Sequence, residues 1–178
     1  MKIFSKFIIL IVFVFGGILF LGLYDHVKEN EKEIANVGMI YKDLPPSIQI
    51  HNYIVKYSKL YNIPIDIAFG VAHYETGYNG IFQWKYDPRQ TSSANAYGAM
   101  QIQVPTANDF SNATIKKNDL LVDLELNVKL SMKILAYLKN KYGNWDLALG
   151  AYNTGRPLVN QYAKDIANFD ATNTFYGN

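Results

Sequence analysis

The stretch Asp123–Tyr142 constrains the fold more than any other part of the chain. Leu124, Val128, Leu135, Leu138 and Tyr142 fall on one helical stripe, with Ser131 and Met132 beside them, and Gly143 supplies a stop. Lys129, Lys133, Lys139 and Lys141 read as its solvated face. A helix this long with one apolar stripe needs other helices to cover it, and the neighbouring segments offer them. Ile50, Tyr53, Ile54, Tyr57 and Leu60 mark a packing helix within Ser47–Tyr61. Trp145–Tyr152 is a short apolar helix closing at Asn153-Thr154-Gly155, and Pro157 starts another that runs to about Asn168. A short helix covers Thr106–Phe110, while Ser111–Leu121 is polar without a clear pattern. Phe169–Asn178 also lacks a pattern and reads as a fraying tail. With no repeat and no alternating strand pair, the expected class is mainly α.

The chain has 178 residues, 49% of them apolar, enough for one ordinary domain with a core plus an appendage. That appendage is N-terminal. Lys2 and Lys6 precede an uncharged run from Phe7 to Leu23, and charged residues begin at Asp25. The run lies near the lower end of the roughly 17–25 residues of a spanning helix and exceeds the roughly 7–15 of a signal core. Its end offers no good small-x-small cleavage site, because Phe20 would pair with Gly22. Residues 1–24 are therefore expected to be an uncleaved membrane anchor in preference to a cleaved signal. The leading lysines put the N-terminus in the cytoplasm and the rest of the chain outside. Residues 25–46 read as a tether ending in Pro45-Pro46, with a domain over 47–168. The net charge of +2 with no basic block disfavours a nucleic-acid partner. The absence of cysteine removes thiol nucleophiles and cysteine metal sites, and His26, His51 and His73 lack ligand spacing, so no metal or other cofactor is expected.

Within Tyr61–Gly80, Asn62 can cap a helix, Pro64 fits its first turn and Gly77 can end it. Ala68, Val71, Ala72 and Glu75 then share one face, apolar except at its last position. Burial and the negative end of the helix dipole both favour the protonated form of Glu75. A carboxylic acid kept neutral near pH 7 is what protonation of a glycosidic oxygen requires. Taken alone, such a glutamate more often just reaches water at its helix end; the downstream motifs single it out.

After a long loop over Tyr78–Ala96, three segments stand in order: Glu75-Thr76-Gly77, Gly98-Ala99-Met100-Gln101 before Pro105, and Ala151-Tyr152-Asn153-Thr154-Gly155. Together they resemble the lytic transglycosylase (SLT) domain of the goose-lysozyme-like superfamily, over roughly Ser47 to Tyr162. The resemblance implies a lysozyme-like α-helical domain with Glu75 as its single acid/base. It also implies that Gly98 and Gln101 line the sugar groove, Gly98 letting backbone approach the glycan and Gln101 bonding sugar hydroxyls or N-acetyl groups. Tyr152 would hydrogen-bond or orient the Glu75 carboxyl with Asn153 in support, and Thr76, keeping the hydroxyl of the usual serine, would stand with them among the groove's substrate-binding residues. Asn127 matches the family's helix asparagine and Ser92 its loop hydroxyl. Met100 and Ile102 read as core, and Gly155 as a cap. Ala99, Gln103, Ser131 and Ile134 depart from the family pattern and bear on subsite preference more than on activity.

The implied partners are the glycan strands of peptidoglycan and, through the N-terminal helix, the cytoplasmic membrane, with the domain on its outer, periplasmic or wall-facing side. A secretion, conjugation, flagellar or phage assembly is the kind of apparatus such an enzyme serves. The implied reaction cleaves the β-1,4 bond between N-acetylmuramic acid and N-acetylglucosamine and leaves 1,6-anhydro ends. One alternative is a hydrolytic muramidase with Asp87 as second carboxylate. Another is a non-catalytic wall-binding module.

Overall fold

A computed structural model of the chain describes residues 43–177, so the expected anchor over residues 1–24 and the tether up to residue 42 lie outside the described residues. Among the described residues no helix is long and apolar enough to cross a membrane. From Leu44 onward the chain packs as one mainly helical unit. Its elements are α1 (Pro46–Leu60), α2 (Ile65–Thr76), β1 (Ala96–Tyr97), β2 (Ile102–Gln103), α3 (Val104–Asp109), α4 (Lys117–Val122), α5 (Leu124–Tyr142), α6 (Trp145–Thr154), α7 (Gln161–Ala167) and α8 (Ala171–Tyr176).

The centre is α5. Asp123 caps it by accepting from the Leu126 N–H at 2.9 Å, and Gly143 ends it in the left-handed region at φ +81°. Val128, Met132 and Leu135 are fully buried, whereas Leu124, Leu138 and Tyr142 of the expected stripe are only half-buried and Leu130 and Ile134 take places in the core; α1 and α6 both pack against this helix. On α1, Ile50, Tyr53, Ile54 and Tyr57 are buried as the stripe requires, each worth about 1.5–3 kcal/mol. Leu60, expected on that stripe, is 65% exposed at the helix end. Lys56 and Tyr57 both donate to Glu125 Oε1 at 2.7 Å, tying α1 to the first turn of α5.

Several expectations need correction. Asn62 does not cap α2; it adopts φ +54° in the preceding turn, and Pro64 takes the N-cap position without a side-chain bond. Helix α7 begins at Gln161 instead of Pro157, because Asn160 Oδ1 accepts from the Ala163 N–H at 2.9 Å. The segment before it passes so close to α6 that a Cβ on Gly150 would run into the Leu158 carbonyl. The C-terminal stretch is helix α8, capped by Asp170 and seated by Phe175 edge-on to Phe69 (5.6 Å) and Tyr78 (5.3 Å). Aromatic packing of this sort leaves no period in so short a segment. The second half of Ser111–Leu121, read as patternless, belongs to α4, with the Asp119 carboxylate accepting from the Lys116 N–H at 2.8 Å. Strands β1 and β2 form an antiparallel pair with Tyr97 opposite Ile102, too short to show alternation.

Candidate active site

Glu75 occupies the last turn of α2, above the fully buried Ala68, Val71 and Ala72. Its carboxyl opens on a groove of about 690 Å³. Ser92, Gln101 and Gln103 line one side, Ile134, Tyr137 and Leu138 of α5 another, and Tyr152 and Asn153 of α6 a third. Burial pushes the Glu75 carboxyl up to about 7; the Tyr162 hydroxyl, donating to Oε1 at 2.7 Å, acts in the opposite direction and offsets only part of that rise. The group is therefore poised between its acid and base forms at neutral pH.

The tyrosine bonded to Glu75 is Tyr162; of the two roles expected for Tyr152, bonding or orienting the carboxyl, the direct bond is absent. The Tyr152 hydroxyl donates to the Met100 carbonyl at 2.7 Å and lies 2.8 Å from Ser131 Oγ, which then acts as the donor to it. Tyr152 still lies within the field of the Glu75 carboxylate, which, after burial itself, holds its phenol above the ordinary range. Tyr162 lies outside the three motifs. The only trace of it in the sequence is a tyrosine beside Ala163 and Ile166, both of which are fully buried on α7.

Two further expected groove residues face the protein instead. Gly98 sits at φ +80°, and an added Cβ would collide with the Leu120 carbonyl and the Asn127 amide, so its missing side chain serves internal packing. Thr76 is buried; its hydroxyl donates to the Ala99 carbonyl at 2.8 Å and lies 2.8 Å from the Tyr86 hydroxyl. Asn127, fully buried on α5, completes this frame. Its Oδ1 accepts from Met100 N–H at 2.9 Å, and its Nδ2 donates to the carbonyls of Tyr97 (2.9 Å) and Leu120 (3.1 Å). Met100 is fully buried behind the groove.

Gln101, at φ +49°, lines the groove, and its amide nitrogen donates to Gly98 O at 2.9 Å and Gln90 O at 3.2 Å. Both amide hydrogens are thus engaged, and Oε1 is left as an acceptor toward the groove. Ser92 Oγ accepts from Ala96 N–H at 3.2 Å. Asn153, exposed at the rim, accepts from Asn160 Nδ2 at 2.9 Å. Asp87 does not join this site. Its carboxylate, held below the usual range by Arg89 at 2.9 Å, lines a separate cleft with Trp84 and Val122. Among the described residues, Glu75 is the one carboxylate in the Glu75 groove.

A helical domain that opens a groove beside one buried acid belongs with the lysozyme-like folds. Residues 52–175 match the model of the Transglycosylase SLT domain, and the chain belongs to that family. Its fold is similar to the 70-kDa soluble lytic transglycosylase from Escherichia coli, at 24% identity and TM-score 0.50 over 65% of this chain and 18% of that one. The 70-kDa soluble lytic transglycosylase in complex with bulgecin A is similar at the same values. An inactive mutant of the lytic transglycosylase Slt from Pseudomonas aeruginosa is similar at 23% identity and TM-score 0.48, over 58% of this chain and 16% of that one. The chain therefore spans less than a fifth of the length of these solved structures. No curated protein sequence matches it.

Proposed function

We propose that the domain is a peptidoglycan lytic transglycosylase that cuts the β-1,4 bond between N-acetylmuramic acid and N-acetylglucosamine and leaves 1,6-anhydro ends. The observation that carries this reading is Glu75, held near half-protonation beside a groove that offers it no second carboxylate among the described residues. The neutral carboxyl gives its proton to the glycosidic oxygen as the C1–O bond breaks. The N-acetyl oxygen of the muramic sugar holds C1 until that sugar's 6-hydroxyl replaces it. The Glu75 carboxylate takes the hydroxyl proton as the ring closes, which restores the starting acid. An attacking group already attached to the substrate lowers the entropic cost of this step, so one acid/base suffices. Tyr162 stabilises the carboxylate between the two transfers, and the Gln101 carbonyl oxygen suits a sugar hydroxyl or N-acetyl N–H.

Digestion of purified sacculi by the protein, with the products weighed, tests this directly. Muropeptides lighter by one water than their hydrolytic counterparts are expected. Reducing ends would instead indicate a muramidase, and intact glycan with bound protein a wall-binding module. In this reading residues 1–24 anchor the domain to the outer face of the cytoplasmic membrane for local opening of the wall around an assembly. The support is Lys2 and Lys6 ahead of the run Phe7–Leu23. Recovery of the full chain in a carbonate-washed membrane fraction is the expected result.

A further inference from the structure

The long loop after α2 carries a second surface that the groove does not use. Its residues from Trp84 to Arg89 line a cleft of about 510 Å³ with Pro46, Gln49 and Val122, and no residue lines both this cleft and the Glu75 groove. Phe82, Trp84 and Val122 are 66%, 64% and 63% exposed, and Phe82 meets the Trp84 and Tyr176 rings edge-on at 6.4 and 6.3 Å. The loop that presents them is pinned. Gln83 accepts from the Asn79 N–H at 2.7 Å and donates to the Gly77 carbonyl at 3.0 Å, and Ser47 Oγ donates to the Ile81 carbonyl at 3.1 Å. Tyr86 is buried, with its hydroxyl 2.8 Å from Thr76 Oγ1. A backbone held in this way keeps large apolar rings out in water, the mark of a surface that is covered in use.

The place of the cleft along the chain points to what covers it. The domain begins at its edge: Gln49 Nε2 donates to the Leu44 carbonyl at 2.6 Å, and Pro46 is part of the lining. Only residues 24–43 separate Leu44 from the end of the apolar run at Leu23, and fully extended they span at most about 70 Å. A run held in a bilayer therefore keeps this edge of the domain within reach of the lipid headgroups. Tryptophan and other aromatic side chains settle where acyl chains meet headgroups, because one side of that boundary is apolar and the other wet. The charges of the lining suit it as well. Lys85 and Arg89 against Asp87 leave one positive charge, which anionic headgroups attract.

We infer that Phe82 and Trp84 enter the headgroup region of a lipid bilayer and dock the domain on the membrane surface, leaving the Glu75 groove free for glycan. This rests on the proposed anchor and adds a second, separate membrane contact to it. The chain has two tryptophans, and Trp145 lines a different cleft beside Lys139. The full-length Trp145→Phe variant, reconstituted in vesicles of phosphatidylcholine and phosphatidylglycerol, therefore reports on Trp84 alone. Lipids brominated in the upper acyl chain should quench most of its emission, the emission should shift to the blue, and acrylamide should lose access to it. Trp84→Phe, which leaves Trp145, should show no quenching by bromine. Quenching of Trp84 should persist at high salt, because ring insertion and not charge holds the contact. An anchored chain whose Trp84 stays unquenched and open to acrylamide overturns the inference, as does equal quenching of both tryptophans or release by salt. Shielding of Trp84 from acrylamide without quenching by bromine gives the face to wall glycan or to a second copy, and overturns it too. A full chain that carbonate strips from the vesicles sinks the anchor reading and the docking with it, an outcome distinct from a retained chain whose Trp84 stays in water.

Discussion

Two polar clusters lie back to back in this domain, and they are satisfied to different degrees. Behind the groove, Asn127 makes three hydrogen bonds to the 97–100 backbone and to Leu120, while Gly98 leaves room for its amide and Thr76 holds the Ala99 carbonyl. In front, Glu75 is pressed into the apolar end of α2 with one hydrogen bond, from Tyr162, and burial outweighs that bond. The first cluster satisfies each buried polar atom and so fixes the shape of the loop that carries Gln101. The second leaves an acid under-solvated, which costs stability and creates chemistry. Rigidity at the frame is what lets the acid remain under-solvated without the loop moving to relieve it.

Glu75→Gln separates the two clusters most widely. It should lower glycan cleavage by about a hundred- to ten-thousandfold, the range of a lost general acid, while circular dichroism and the frame stay unchanged. Residual turnover near the wild-type level would move the chemistry elsewhere. Next comes the frame itself. Asn127→Ala strands the Met100 N–H and two carbonyls in the interior, for a loss of roughly 3–5 kcal/mol in denaturant unfolding. Gly98→Ala adds a clash to a strained φ and should be comparably damaging. If either variant kept its stability and lost only activity, the frame would be part of the catalytic site after all.

The acid corner should also betray itself in the pH dependence of folding. Below its ordinary value of 4.5, Glu75 is protonated in both the folded and unfolded chains and contributes no pH-dependent penalty. Between 4.5 and about 7 the unfolded chain releases that proton while the folded protein keeps it, so stability falls as pH rises, then levels off. The full drop is on the order of 3 kcal/mol. Glu75→Gln should therefore be more stable than wild type at pH 8 and nearly equal to it at pH 4. A constant difference across this range would mean that Glu75 titrates as an ordinary surface carboxyl.

The legibility of the two clusters in the sequence differs for a physical reason. The central part of the α5 stripe, the inner face of α1 and the position of Glu75 follow from a helical period, and Gly77 and Gly143 mark helix ends by their need for positive φ. A motif says which residues matter without saying which way they point. Gly98 and Thr76 could face a sugar or the protein; the packing of α4 and α5 against the hairpin sets the direction at Gly98, and the Ala99 carbonyl and Tyr86 hydroxyl set it at Thr76. Tyr162 lies 87 positions from Glu75, and no local pattern reports a contact of that separation. The fold of α8 is hidden for a related reason, since Phe175 is held by rings from α2 and the following loop.

The smallest and most diagnostic change concerns that unforeseen contact. Tyr162→Phe removes the one hydrogen bond that favours the charged form of Glu75 and leaves the burial in place. The carboxyl should then hold its proton to higher pH, so the alkaline limb of kcat/KM moves upward from about 7. At the same time, the carboxylate formed after the first proton transfer loses its donor, which should slow turnover by about tenfold for a charge-assisted bond of about 1.5 kcal/mol. Tyr152→Phe makes the natural control, because its hydroxyl serves Met100 and Ser131 and bonds to no atom of the acid. It should cost stability without moving the limb. If instead Tyr152→Phe shifts the limb and Tyr162→Phe does not, the acid takes its partner from α6 during the reaction, and the assignment of the two tyrosines is reversed.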